Sequence, residues 1–159
     1  MLLRMTEIVE TAPFEVAYIA AAIEAAEMRT FMRPALMELH QALADQEIAT
    51  SGSWLTHHWR RPDPSFNFDI CLPVARPIAS VGRVRPGVIA AQRIIRTDYF
   101  GDYSGLPAAW GAFIAAIQHG GHLIRQDFWE IYVLGPDAST DPAQWRTQLV
   151  CPLKPSPLY

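Results

Sequence analysis

Phe128-Trp129-Glu130-Ile131-Tyr132-Val133 sets one carboxylate in the middle of an otherwise apolar run. The run is predicted to be a strand. Side chains alternate across a strand, so Phe128, Glu130 and Tyr132 share one face while Trp129, Ile131 and Val133 take the other. Burying an anion is costly unless a cation or a donor compensates it. Glu130 therefore stands either on a solvated sheet face or in a hollow that supplies such a partner, and its flanking aromatics Phe128 and Tyr132 favour the hollow. An anion among ring faces attracts a delocalised cation through its charge and through the ring quadrupoles. Desolvation would also raise the titration of Glu130, which suits it to activate water or donate a proton, with Tyr132 assisting by hydrogen bonding.

Other constellations imply no metal and no cofactor. His57 and His58 are adjacent on a strand and point to opposite faces, so they cannot chelate one ion together. His119 and His122 straddle Gly120-Gly121 and lack the further ligands that zinc needs. No Gly-x-Ser-x-Gly elbow and no phosphate-cradling glycine loop occurs. Cys71 and Cys151 have no Cys-x-x-Cys partner and read as reduced, buried small hydrophobes rather than nucleophiles. Asp69, the second acid inside a strand, is expected to be solvated or paired with an arginine.

The elements that must position Glu130 come from a chain of 159 residues with 13 basic and 16 acidic side chains, a net charge of −3 and 50% apolar content. That length predicts a single domain, 1–159, with a real core, and that balance argues against disorder. Lys154 is the only lysine and the arginines are scattered, so no basic stripe serves direct nucleic-acid binding. The longest apolar run, 16–23, is far short of the ~20 residues needed to span a bilayer. The N-terminus has no apolar stretch suited to a signal peptide. A cytoplasmic protein without membrane contact is expected.

Landmarks recur along the chain. Phe31-Met32-Arg33-Pro34-Ala35-Leu36 opens a periodic segment continued by Leu39 and Leu43, and Ser104-Gly105-Leu106-Pro107-Ala108-Ala109 opens another continued by Trp110, Phe113 and Ile117. Both read as helices with proline in the first turn. Thr30 and Ser104 are the expected N-caps, and Gly120-Gly121 ends the second helix. Turns at Arg61-Pro62-Asp63 and Gly135-Pro136-Asp137, and strands ending near Cys71-Leu72-Pro73 and Cys151-Pro152, repeat the order. An internal duplication follows, with pseudo-repeats at about 10–75 and 85–154. Each reads strand, helix, strand, strand: 14–23, a helix, then 54–60 with 66–72; and 88–96, a helix, then 128–134 with 145–151. An edge strand is expected at 7–13. The fold class is α+β: antiparallel sheet, two main helices and a ligand pocket where the halves meet. Thr56 and His58 stand where the second half has Glu130 and Tyr132, so the carboxylate belongs to one half only.

Trp129-Glu130-Ile131-Tyr132, Leu134-Gly135-Pro136-Asp137, Asp141-Pro142, Trp145-Arg146-Thr147-Gln148 and Cys151-Pro152-Leu153 together resemble the C-terminal signature of GyrI-like domains. These are also the effector-binding domains of AraC- and MerR-type multidrug regulators. Tyr99-Phe100-Gly101-Asp102-Tyr103 is similar to the family's entry to its second helix, and Phe68-Asp69-Ile70-Cys71-Leu72-Pro73-Val74 to its mid-chain strand. The first half departs from the pattern, with Ala25-Ala26-Glu27 where the family has a glycine. The resemblance implies a duplicated sheet-and-helix fold with a ligand pocket at the junction, and makes Glu130 the acid that meets cationic aromatic ligands. Tyr132 is the first companion expected beside it. Phe128, Tyr99, Phe100, Tyr103, Trp110, Trp54 and Tyr18 are further ligand-binding candidates, with plain core packing as the competing reading. For Trp110, at helical spacing with Phe113 and Ile117, core packing leads.

The expected function is binding of a small hydrophobic, cationic molecule by a stand-alone sensor or sequestering protein, since no segment ahead of the first strand could hold a DNA-binding domain. One alternative, implied by stand-alone relatives, is hydrolysis of cyclopropane-type electrophilic toxins with Glu130 and Tyr132 as catalytic residues. Another is a protein-interaction role like that of relatives named for gyrase inhibition.

Overall fold

Alternation of Phe66, Phe68, Ile70 and Leu72 with polar neighbours demands a sheet covered on one side, and the spacing of Leu36, Leu39 and Leu43 supplies a helix to cover it. The computed structural model, which describes residues 2–62 and 64–155, meets both demands. The strands of the first part are β1 (Leu2–Leu3), β2 (Glu7–Thr11), β3 (Phe14–Ile23), β4 (Leu55–His58), β5 (Phe66–Pro73) and β6 (Arg85–Ile89), with helix α1 (Met28–Asp45) between β3 and β4. Then come β7 (Gln92–Phe100), α2 (Leu106–His119), β8 (Phe128–Leu134) and β9 (Arg146–Pro152).

These elements fall into two compact units. In the unit Ala12–Ala91, β3 pairs antiparallel with β5 and β6, and β5 with β4. α1 buries Ala35, Leu39 and Leu43 against Ile19, Phe68, Ile70 and Leu72, and Phe31 meets Phe68 edge-on with ring centroids 5.9 Å apart. Each of these leucine, isoleucine and phenylalanine side chains contributes about 1.5–3 kcal/mol when withdrawn from water.

The other unit joins the N-terminal segment through Thr11 to Gln92 and the residues after it. β7 pairs antiparallel with β1, β2 and β9, and β9 with β8. α2 lays Leu106, Ala109, Phe113 and Ile117 over Ile95, Tyr99, Leu149 and Cys151. Tyr132, Thr147 and Tyr99 lie in one row across β8, β9 and β7, the small Thr147 separating the two tyrosines. The fold is α+β, and strand, helix, strand, strand recurs in both units.

Several local expectations change. The strand expected at 88–96 is two strands: β6 pairs with β3, and β7 begins the other unit. Thr30 is not an N-cap but lies inside α1, its hydroxyl donating to the Glu27 carbonyl at 3.0 Å. The chain enters α1 through a short 3-10 turn with a reciprocal Glu24–Glu27 capping box. Pro34 is consequently interior to the helix rather than in its first turn. It sits on the exposed side, where water can serve the Thr30 carbonyl that the missing N–H leaves free. Ser104 likewise falls within a 3-10 turn, Tyr103–Gly105, and donates to Asp102 at 2.7 Å instead of capping α2. Gly120 caps α2, and Gly121 follows at φ 75°, the left-handed conformation that glycine supplies cheaply. Asp69 accepts from the Trp59 indole at 3.1 Å, not from an arginine. Of the turn expected at Arg61-Pro62-Asp63, Asp63 lies outside the described residues. Cys71 and Cys151 are both buried, and burial pushes the Cys71 thiol up. Among the described residues no helix is long and apolar enough to cross a membrane.

One side chain fixes how β7 hands over to α2. The Tyr99 hydroxyl donates to the Asp102 carbonyl at 2.8 Å. A Cβ at Gly101, where φ is 145°, would stand 2.6 Å from that hydroxyl, and one at Gly105 would collide with it outright. The two glycines are the slot and the phenol is the bolt. Tyr99→Phe is expected to cost about 1 kcal/mol, the worth of one hydrogen bond, and to lower Tm by about 2–4 °C. An unchanged thermal melt would show that the bond does not hold the turn.

Candidate functional site

Strand alternation puts Phe128, Glu130 and Tyr132 on one face of β8, where Trp110 of α2 meets Phe128 and Glu130. Two neutral donors converge on the carboxylate. The Trp110 indole Nε1 donates to Glu130 Oε1 at 2.9 Å, and the Tyr132 hydroxyl donates to Glu130 Oε2 at 2.8 Å. Trp110 also packs on Phe128, with ring centroids 4.8 Å apart at 65°, and on Phe113 at 5.7 Å. The Trp110 ring packs against the core beneath α2, and its N–H reaches out of that core to the acid.

Glu130 as a residue is half-buried, yet its carboxyl is set deep enough that loss of water dominates its titration. Burial raises it above the ordinary value, while the bonds from Tyr132 and from Trp110 pull in the opposite direction without prevailing. Among the described residues no basic side chain forms an ion pair with it.

A second group of rings lies beyond Tyr132. Tyr103, on the turn held by Tyr99, meets the Tyr132 ring edge-on at 5.9 Å and the Trp145 ring at 5.3 Å. Trp145 is anchored by its indole N–H, which donates to the Ser139 carbonyl at 2.9 Å. Burial raises the Tyr103 phenol, and the nearby charges of Glu130 and Asp137 raise it further. Among the described residues no group of three or more His, Cys, Asp or Glu is placed to hold a metal ion.

The model of the GyrI-like small molecule binding domain matches residues 4–154. The chain belongs to this family. No curated protein matches the sequence, but solved structures do. The GyrI-like chain superposes on the C-terminal domain of EcmrR with a TM-score of 0.84 at 17% identity, covering 97% of this chain and 99% of that one. It spans 58% of the regulator's chain in the EcmrR–DNA complex. SAV2435 bound to tetraphenylphosphonium gives a TM-score of 0.67 at 14% identity, with 95% and 94% covered. A hydrolase from Listeria innocua gives 0.68 at 12% identity, with 95% and 92% covered. At such identities these likenesses speak for the fold.

Within this GyrI-like domain, Phe128, Glu130, Tyr132, Trp110 and Tyr103 form one continuous set of contacts. Tyr99 is buried and serves the turn rather than the carboxylate. Phe100, on the other face of β7, lies 5.0 Å under the Arg4 guanidinium. Tyr18 and Trp54 belong to the Ala12–Ala91 unit, where Tyr18 packs over Gly87 and Trp54 joins the core beneath α1. Trp145 is a residue that sequence reasoning misses, although it stands in the motif that carries the family resemblance. Its spacing gives no hint that its ring returns to Tyr103.

Proposed function

We propose that this GyrI-like domain binds a hydrophobic, cationic aromatic molecule beside Glu130, as a sensor or sequestering protein. One observation carries the reading: both carboxylate oxygens are held by neutral donors among aromatic rings, with no basic partner among the described residues. The anion is oriented but not neutralised. A ligand cation would supply the missing charge, and Phe128, Tyr132, Trp110 and Tyr103 would supply ring faces for its apolar body. Tetraphenylphosphonium, the ligand bound to SAV2435, has that chemistry.

The test is the pH dependence of tetraphenylphosphonium binding, followed by titration calorimetry. The cation prefers the ionised carboxyl, so affinity is full above the raised titration of Glu130 and falls as pH drops through it. The fall approaches about tenfold per pH unit, and it sets in above the 4.5 of an ordinary glutamate. Affinity that stays flat down to the ordinary carboxylate range counts against the reading.

Hydrolysis is the second reading, favoured by the raised carboxyl and its bond from the Tyr132 hydroxyl. Incubation with an electrophilic cyclopropane separates the two. Conversion that requires Glu130 would replace binding as the function, and the absence of conversion leaves binding.

A further inference from the structure

Gly135 follows β8 directly, and its φ is not among the positive ones, so the backbone does not demand glycine there. What glycine leaves is space. A Cβ at 135 would stand 2.7 Å from the Tyr103 hydroxyl oxygen but 3.9 Å from the Cζ that bears it. The first distance is a collision and the second an ordinary contact, so a side chain at 135 would have to displace a single atom of Tyr103. The loop is held by its own bonds and the phenol is flanked by rings on two sides. The Gly135 carbonyl accepts from the Ala138 and Ser139 amides at 3.0 and 3.2 Å, which fixes the loop. Tyr103 rides on the turn bolted by Tyr99, with its ring between Tyr132 and Trp145.

We propose that Gly135 is a positioning residue that seats the Tyr103 phenol and thereby sets how bulky a cation fits beside Glu130. The inference rests on the binding reading above. A phenol pushed off its seat changes its packing on Tyr132 and Trp145, and Tyr132 holds the carboxylate. A ligand that needs the full width between the rings is then penalised, while a small one is not.

Gly135→Ala is expected to weaken tetraphenylphosphonium about tenfold or more, and benzyltrimethylammonium by less than about twofold, as overpacking against the flanked Tyr103 ring implies. Adding Tyr103→Phe removes the colliding atom, so the double variant should bind tetraphenylphosphonium as Tyr103→Phe alone does. Ligand-free melts should follow the same rule, with Gly135→Ala lowering Tm in the wild-type background but not in the Tyr103→Phe background. Unchanged tetraphenylphosphonium affinity in Gly135→Ala, equal losses for both cations, or no recovery in the double variant would overturn the proposal. If the wild type binds neither cation, the binding reading and the size selection fall together, and the melts still decide whether Gly135 seats Tyr103.

Discussion

Glu130→Gln is expected to weaken tetraphenylphosphonium about a hundredfold while leaving the neutral triphenylphosphine oxide unaffected. A unit charge about 5 Å from a carboxylate, at an effective dielectric of about 20, is attracted by about 3 kcal/mol. Each 1.4 kcal/mol is about a factor of ten in affinity. The substitution suits the purpose because both neighbours stay satisfied. The Trp110 N–H can only donate, and it finds the amide oxygen; the Tyr132 hydroxyl can turn and accept from the amide nitrogen. The shape of the site is thereby kept and only the charge removed. Stability should move the other way from affinity. A carboxyl whose folded titration is raised stabilises the fold below its unfolded value and loses that contribution as pH rises through the folded one. Glutamine removes the penalty, so the ligand-free variant should melt at or above the wild-type temperature at pH about 7.5. Equal losses for both ligands would mean that the site was distorted, and no loss for the cation would mean that charge does not select the ligand. Either result ends the case for Glu130 as the recognising anion.

What could be read from the sequence follows the range of the forces involved. Phe128, Glu130 and Tyr132 fall on one face because strand period is local, and β8 keeps it. The same rule denies that the adjacent Tyr99 and Phe100 could line one surface, and the structure separates them accordingly. Helical spacing shows that Trp110 lies on the buried side of α2. That its indole nitrogen reaches a carboxylate twenty residues later is a tertiary fact with no local signature. The two-strand solution for 85–100 was hidden for a different reason. Ala90-Ala91 carries no turn residue, while the true breakers, Pro86 and Gly87, sit inside β6, which pairs with β3 at the margin of its sheet. Proline is tolerated on such an edge strand, whose outer side has no ladder to complete. The roles of Gly101, Gly105 and Gly135 were equally silent, because a glycine kept for a neighbour's hydroxyl looks in sequence like one kept for a turn.

Acid should act on the Ala12–Ala91 unit with the opposite sign, through the residue that stands where the other unit has Tyr132. His58 stacks on Phe68 with ring centroids 5.0 Å apart, and its Nε2 lies 3.1 Å from Thr56 Oγ1. This repeats, in neutral form, the pairing of Tyr132 with Glu130. Burial, and after it the charge of His57, lowers His58 from 6.5 to about 4. As pH falls below 6.5 the unfolded chain takes up a proton that the folded chain refuses until about 4. Stability is therefore full above the unfolded value and is lost across that window, by about 3 kcal/mol in all. His58→Gln keeps a group within reach of Thr56 and cannot titrate. Urea unfolding from pH about 7.5 to 4.5 should find the variant less stable at the start, for want of the stacked ring, but with a shallower decline. Because ionising Glu130 works against folding as pH rises, the Glu130→Gln background should show a steeper acid loss than wild type, and His58→Gln should flatten it there too. Parallel profiles for His58→Gln and wild type would show that the folded protein protonates this ring freely, against the lowering by burial and His57 from which the window is drawn.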